Sequence, residues 1–145
     1  MEYILDNPVV ASIGTEKYKC TVQWRHGKFI TDEPEKIGGK DEGPDPYTLL
    51  LSSLGTCTLA TLRMYIDRKG WDIPNLSIAL NMYQETKDGK LVTTIDRDLD
   101  FISPVTDEQR GRMVQIAKVC PVSKILEGGA QVRTVSSAMA PPATK

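Results

Sequence analysis

The chain has 145 residues, the size of one ordinary domain, and 40% of them are hydrophobic, enough for a single core. Its 18 basic and 19 acidic residues leave a net charge of -1 with no basic cluster, which excludes the electrostatic footprint of a protein that binds nucleic acid or an anionic membrane. The opening "MEYILDNPVVASIGTEKYK" carries Glu2 and Asp6 and lacks a basic region followed by an apolar run, so it does not read as a secretory leader. A cytoplasmic location is expected.

Along residues 18–24, Tyr18, Cys20, Val22 and Trp24 alternate with Lys19, Thr21 and Gln23, the period of a half-buried strand. Cys20 falls on the apolar side, where a free cysteine is first of all a small core filler. After Phe29 and Ile30, the run "TDEPEKIGGKDEGPDP" (31–46) is dense in glycine, proline and acid and has no apolar periodicity, which predicts a loop. Asp45 then stands as an N-cap with Pro46 in the first turn, and the helix they open runs to about Lys69, with Gly70 as its stop.

Leu49, Leu50, Leu51, Leu54, Leu59, Leu62, Met64, Tyr65 and Ile66 lie on most sides of this helix, so it must be covered nearly all round. Its uncharged part, Pro46 to Leu62, contains Ser52, Ser53, Gly55, Thr56, Thr58 and Thr61 and is too short and too polar to be expected to span a membrane.

Next, Leu76, Ile78, Leu80 and Met82 alternate with Ser77, Ala79, Asn81 and Tyr83, and "KDGK" separates this strand from another over Leu91 to Ile102. The pair predicts a β-hairpin with an Asp88-Gly89 turn. In the second strand Asp96, Asp98 and Asp100 share a wet face, while Ile95, Leu99 and Phe101 share the other. Thr106 as N-cap, Gln109 three residues on and the acidic pair Asp107 and Glu108 predict the start of a second long helix. Met113, Ile116, Ala117 and Cys120 form its apolar face, and Pro121 ends it. A last strand is expected around residues 131–135, followed by a frayed tail, "SSAMAPPATK". The order indicates an α+β architecture in one domain, residues 1–145, rather than a doubly wound parallel sheet.

Cys57 lies within the buried helix and Cys120 at the end of the inward face of the other, so both can approach one core. Two thiols within disulfide reach, with no structural need for a bridge, suit a redox cycle in which one attacks and the other resolves. The attacking sulfur must be partly thiolate, whereas apolar burial raises a thiol pKa, so a nearby cation has to offset it. The candidate arginines are Arg25 and Arg63. Six residues at about 100° each put Arg63 roughly 240° around the helix from Cys57, on a different face. Arg25, from a separate element, is the candidate partner; the plainer reading makes it a solvated strand end. Cys20, Cys57 and Cys120 are far apart without CxxC spacing, and His26 stands alone, so no structural zinc and no cofactor are expected.

The segment "DEPEKIGGKDEGPDPYTLLLSSLGTCTLATLRMYIDRKGW" together with "AKVCPVSKILEGG" resembles the OsmC/Ohr family of small thiol-dependent hydroperoxide reductases, over about Trp24 to Arg133. The resemblance implies an OsmC-like fold, an intertwined homodimer in which antiparallel sheets wrap central helices and each active site forms at the subunit interface. It implies that Cys57 is the peroxidatic and Cys120 the resolving cysteine, with an organic hydroperoxide as substrate and an external dithiol as reductant. Three positions depart from the pattern. Tyr47 stands where studied members place a glutamate that orients the arginine, Thr48 where related sequences carry the acid, and Ser123 where a histidine often follows "CPV". Asp32 and Glu33 are the candidate replacement carboxylates.

The leading expectation is therefore a peroxidase for organic hydroperoxides, since an apolar pocket at Cys57 favours an organic tail. A second reading is a redox-sensing or small-molecule-binding protein that keeps the fold with little turnover. A third leaves all three cysteines as inert packing residues.

Overall fold

Asp45 and Gly70 bracket the longest element, helix α1 (Pro46–Lys69), in a computed structural model that describes residues 1–136. Asp45 accepts the Tyr47 N–H, Pro46 sits in the first turn where its missing N–H costs nothing, and Gly70 closes the helix with a left-handed φ of 68°. These are the boundaries the sequence predicts. Before α1, strands β1 (Val10–Ile13), β2 (Cys20–Trp24) and β3 (Gly27–Thr31) form an antiparallel sheet with β2 in the middle. After it, β4 (Ser77–Lys87) and β5 (Lys90–Asp100) pair as a long antiparallel hairpin. Asp88 and Gly89 both take positive φ at its tip, as a tight two-residue turn between right-twisted strands requires.

Helix α2 (Asp107–Ala117) begins with the anticipated capping box, in which Thr106 accepts the Gln109 N–H and the Gln109 side chain accepts the Thr106 N–H. Two expectations fail beyond it. Pro121 does more than end a helix: it occupies the first turn of a further one, α3 (Pro121–Gly128), with Cys120 at the N-cap position. The strand expected over 131–135 is absent, and Val132 and Val135 are 88% and 89% exposed. A β-branched segment makes a strand only where a neighbour supplies the ladder, and no strand of the same chain pairs there among the described residues. The predicted frayed tail from 137 onward lies outside the described residues.

The core joins Leu62 and Ile66 of α1 to Ile73, Phe101, Met113 and Ala117, with Trp71, Leu76, Leu99, Val105 and Ile116 packed around them. Each large apolar side chain buried this way contributes roughly 1.5–3 kcal/mol. Gly55 lets α1 approach β4: a Cβ there would stand 2.8 Å from Leu80 Cδ1. By length and composition alone α1 is long and apolar enough to cross a membrane. Here its inner face builds the core, through contacts with β4, α2 and α3.

The all-round covering expected of α1 is not met within one subunit. Tyr47, Leu50 and Met64 stand 61%, 38% and 69% exposed on its outer side. The β1–β3 sheet, among the described residues, makes no substantial packing contact with the helices or the hairpin. Val10, Ile13, Trp24, Phe29 and Ile30 of that sheet remain exposed.

Candidate functional site

The inner face of α1 carries Leu54, Thr58 and Leu62 one turn apart, and this spacing sends the Thr58 hydroxyl into the interior beside the start of α3. Cys120 is fully buried there, whereas Cys57, the residue before Thr58, keeps partial exposure. The chain turns from α2 into α3 at this point: the Cys120 N–H reaches the Ala117 carbonyl at 3.4 Å, and the Cys120 carbonyl accepts the Lys124 N–H at 3.1 Å. The tight connection fixes the thiol at a helix N-terminus, where backbone N–H groups favour negative charge.

A side chain from the hairpin completes the cluster. Arg97 of β5 donates from Nη1 to Thr58 Oγ1 at 3.0 Å and to the Cys120 sulfur at 3.8 Å, and from Nη2 to Ser123 Oγ at 3.1 Å. Ser123 in turn gives its hydroxyl proton to Glu127 Oε1 at 2.8 Å. Thr58 Oγ1 lies 3.5 Å from the Cys120 sulfur and 2.7 Å from the Leu54 carbonyl. A threonine hydroxyl has one proton and two acceptor sites. With the proton given to Leu54, Thr58 accepts from a Cys120 thiol; with it given to sulfur, Thr58 serves a Cys120 thiolate.

Burial pushes the Cys120 thiol up, but Thr58, the Ser123 backbone N–H, Cys57 and Arg97 together outweigh it and hold the group below the ordinary thiol value. Cys57 is thus close enough to bear on the Cys120 sulfur, and no disulfide joins them. A cleft of about 380 Å³ opens beside Arg97, Ser123 and Glu127, with Leu54, Ile95 and Leu126 as its apolar lining.

Of the residues singled out from sequence, the structure brings Cys57 and Cys120 together. Arg25 is not brought to them within the subunit: it is exposed in the turn between β2 and β3 and lies over the Trp24 ring at 5.4 Å. Arg63 fastens the end of α1 to the following loop through the Ile73 and Pro74 carbonyls at 2.9 and 3.0 Å. Cys20 stays in β2, paired across the sheet with Ile13 and Thr31.

Asp32 is committed elsewhere too. Only 2% exposed, it accepts the N–H groups of Tyr18, Glu33, Lys40 and Glu42 at 2.8–3.3 Å, fixing the glycine-rich loop before α1. Burial would raise its carboxyl, and the four donors more than offset that, holding it below the usual carboxylate value. The carboxylate that does reach the cluster is Glu127, through Ser123.

Arg97, Thr58 and Glu127 are not among the site residues that the sequence singles out. The signal for Arg97 was present: the alternation that puts the three aspartates outside puts Arg97 on the face of Ile95 and Leu99. A charge on the apolar face of a strand needs buried partners, and only the fold reveals that these are two hydroxyls and a thiol.

The fold and the cluster define a class: an α+β domain with antiparallel sheets, whose long helix presents one thiol beside a second at the start of a short helix. Residues 39–135 match the family of OsmC-like proteins, and the chain belongs to that family. No curated protein matches it by sequence. Among solved structures it is similar to an OsmC-like protein from Mycoplasma pneumoniae, at 21% identity over 87% of this chain and 90% of that one, with a TM-score of 0.69. An organic hydroperoxide resistance protein from Elizabethkingia anophelis, crystallised with thiocyanate bound, aligns at 18% identity over 89% and 93% of the two chains, TM-score 0.66. An OsmC-like protein of unknown function from Vibrio cholerae aligns at 12% identity over 81% and 92%, TM-score 0.60. At these identities the structural likeness establishes the fold.

Proposed function

We propose that this protein is a thiol-dependent peroxidase that reduces organic hydroperoxides. The observation that carries the reading is the pair of sulfurs: Cys57 partly exposed, Cys120 sealed behind it with a guanidinium, a hydroxyl and a helix N-terminus around it. In this reading the Cys57 thiolate attacks the terminal peroxide oxygen, the O–O bond breaks, and the organic oxygen leaves as an alcohol after taking a proton. Cys57 is left as a sulfenic acid. The Cys120 sulfur displaces its hydroxyl as water, forming the disulfide, and an external dithiol returns both thiols. The cleft beside the cluster is mixed, with Leu54, Ile95 and Leu126 available to an organic tail and Thr93, Arg97, Ser123 and Glu127 to a polar head.

The working unit is a homodimer. The β1–β3 sheet and the outer side of α1 expose apolar residues that a second copy of the chain would cover, and Arg25 of the partner subunit would approach Cys57 from that sheet. A subunit that remained folded and monomeric on dilution would contradict this. The charge balance and free thiols fit a reducing, cytoplasmic setting.

The competing reading, a redox sensor or small-molecule binder on the same fold, draws on Tyr47, which is exposed where the resemblance calls for an orienting acid. Thiol counting before and after one equivalent of cumene hydroperoxide, with a peptide map, tests both. Loss of two thiols as a Cys57-Cys120 disulfide, with sustained turnover on a dithiol and loss of turnover in Cys57→Ser, supports the peroxidase. Stoichiometric oxidation without turnover supports the sensor, and three unreacted thiols refute both redox readings.

A further inference from the structure

Arg97 spends its whole fork on the resolving side of the cluster. Nη1 is shared between Thr58 and the Cys120 sulfur, and Nη2 is anchored on Ser123, whose proton is already given to Glu127. The anchor has a direction: because Ser123 donates to Glu127, its oxygen can only accept from Arg97, so the carboxylate orients the guanidinium through one hydroxyl. Arginine suits the role because its charge persists when half buried and its planar fork reaches two elements at once. The charged and titratable groups facing Cys120 are Cys57 from α1, Arg97 from β5 and Glu127 through Ser123 from α3, with Lys118 at the end of α2 lining a cleft that Arg97 shares. Thr58 and the Ser123 backbone N–H also serve a negative Cys120 sulfur, but Arg97 is the one cation that hydrogen-bonds to it among the described residues.

We propose that Arg97 is a second catalytic cation of this site, dedicated to the resolving sulfur: it carries the negative charge that Cys120 brings to disulfide formation, and Glu127, acting through Ser123, is its positioning residue. The peroxide-dependent part of the proposal rests on the peroxidase reading. In the step it serves, the Cys120 thiolate attacks the Cys57 sulfenic sulfur. The S–O bond breaks, the S–S bond forms, and the departing hydroxide takes a proton from solvent to leave as water. The negative charge thereby moves off sulfur, and Arg97 has less to hold in the oxidised protein than in the reduced one. The same contact that readies Cys120 therefore makes the disulfide easier to reduce.

The test compares wild type with Arg97→Gln, Arg97→Lys and Glu127→Gln by two readouts. The first is the decay of the Cys57 sulfenic acid after one equivalent of cumene hydroperoxide, followed by trapping with a 1,3-dicarbonyl and intact mass as a function of pH. The second is the thiol-disulfide equilibrium of Cys57-Cys120 in a dithiothreitol redox buffer, which needs no peroxide. Arg97→Gln is expected to slow sulfenic acid decay at least tenfold near neutral pH, to move its pH profile upward, and to favour the disulfide about tenfold, or about 30 mV. Arg97→Lys restores part of both, as a charge without the fork, and Glu127→Gln shows a smaller change in the same direction. Wild-type decay rates and an unshifted equilibrium in Arg97→Gln would overturn the proposal. If peroxide left the wild type unoxidised while the equilibrium still shifted, the hold of Arg97 on Cys120 would stand and the peroxidase reading would fall.

Discussion

Thr58→Val removes one oxygen from the centre of the cluster with little change of shape. That oxygen accepts from Arg97 at 3.0 Å, lies 3.5 Å from the Cys120 sulfur and can donate to the Leu54 carbonyl, which keeps its own helical bond without it. Losing a hydrogen bond to a charged donor costs roughly 1.5–3 kcal/mol, and the methyl that replaces the hydroxyl returns about 1 kcal/mol of apolar burial. The net loss is about 1.5 kcal/mol, which for a chain of this length lowers Tm by about 3–6 °C. Thr58→Ser keeps the oxygen and loses a buried methyl, at about 1 kcal/mol. The two variants thus lose similar stability, and pH separates them.

In the folded protein Cys120 is held below the ordinary thiol value of 9.0. Between the folded and unfolded values the unfolded chain binds the extra proton, so stability rises with pH across that window. The contribution is complete above the unfolded value and is lost as pH falls through the folded one. Thr58→Val removes the hydroxyl that helps lower Cys120 and flattens this rise, whereas Thr58→Ser preserves it. Urea denaturation at several pH values below 9.0, at one fixed protein concentration, reads the slopes directly. Equal slopes in wild type and Thr58→Val would refute the claim that this hydroxyl helps set the ionisation of Cys120.

Two further perturbations probe the frame around the site. Asp32→Asn keeps the shape but withdraws the negative charge from four backbone donors, so hydrogen exchange at Tyr18, Glu33, Lys40 and Glu42 should quicken. Because the folded carboxyl lies below its ordinary value of 3.8, its stabilisation is present above that value and disappears as pH falls through the folded one. The variant should therefore lose acid sensitivity that the wild type shows; identical acid unfolding curves would contradict this. Gly55→Val places a branched side chain where even a Cβ would meet Leu80 at 2.8 Å and Ile78 at 3.5 Å. Overpacking of this kind costs about 1–3 kcal/mol, measurable as a lower denaturation midpoint; an unchanged midpoint would show that β4 yields freely.

The sequence is legible where one residue settles a local question. An N-cap aspartate, a first-turn proline and a left-handed glycine bounded α1; Asp88-Gly89 turned the hairpin; Thr106 and Gln109 opened α2. It is not legible where a signal has two local meanings. Pro121 disfavours continuation of a helix before it and also favours the start of one after it, and only the turn at Cys120 shows that the second applies. Val132, Thr134 and Val135 have the β-branched side chains that suit a strand, yet hydrogen-bonded pairing depends on a neighbour that a local sequence does not contain.

For the site, the sequence by itself determined which atoms are present: two thiols on helices with apolar faces, and motifs that resemble those of a known family. The tertiary structure decided what surrounds them. It brought Arg97, 23 residues before Cys120 in the chain, onto the buried sulfur, spent the Asp32 carboxylate on a loop, and left Arg25 exposed in the turn between β2 and β3. Helix caps and turns are governed by interactions over three or four residues, so sequence order reveals them. The ionisation of a thiol depends on charges and donors within a few ångströms in space, and chain order does not measure that distance.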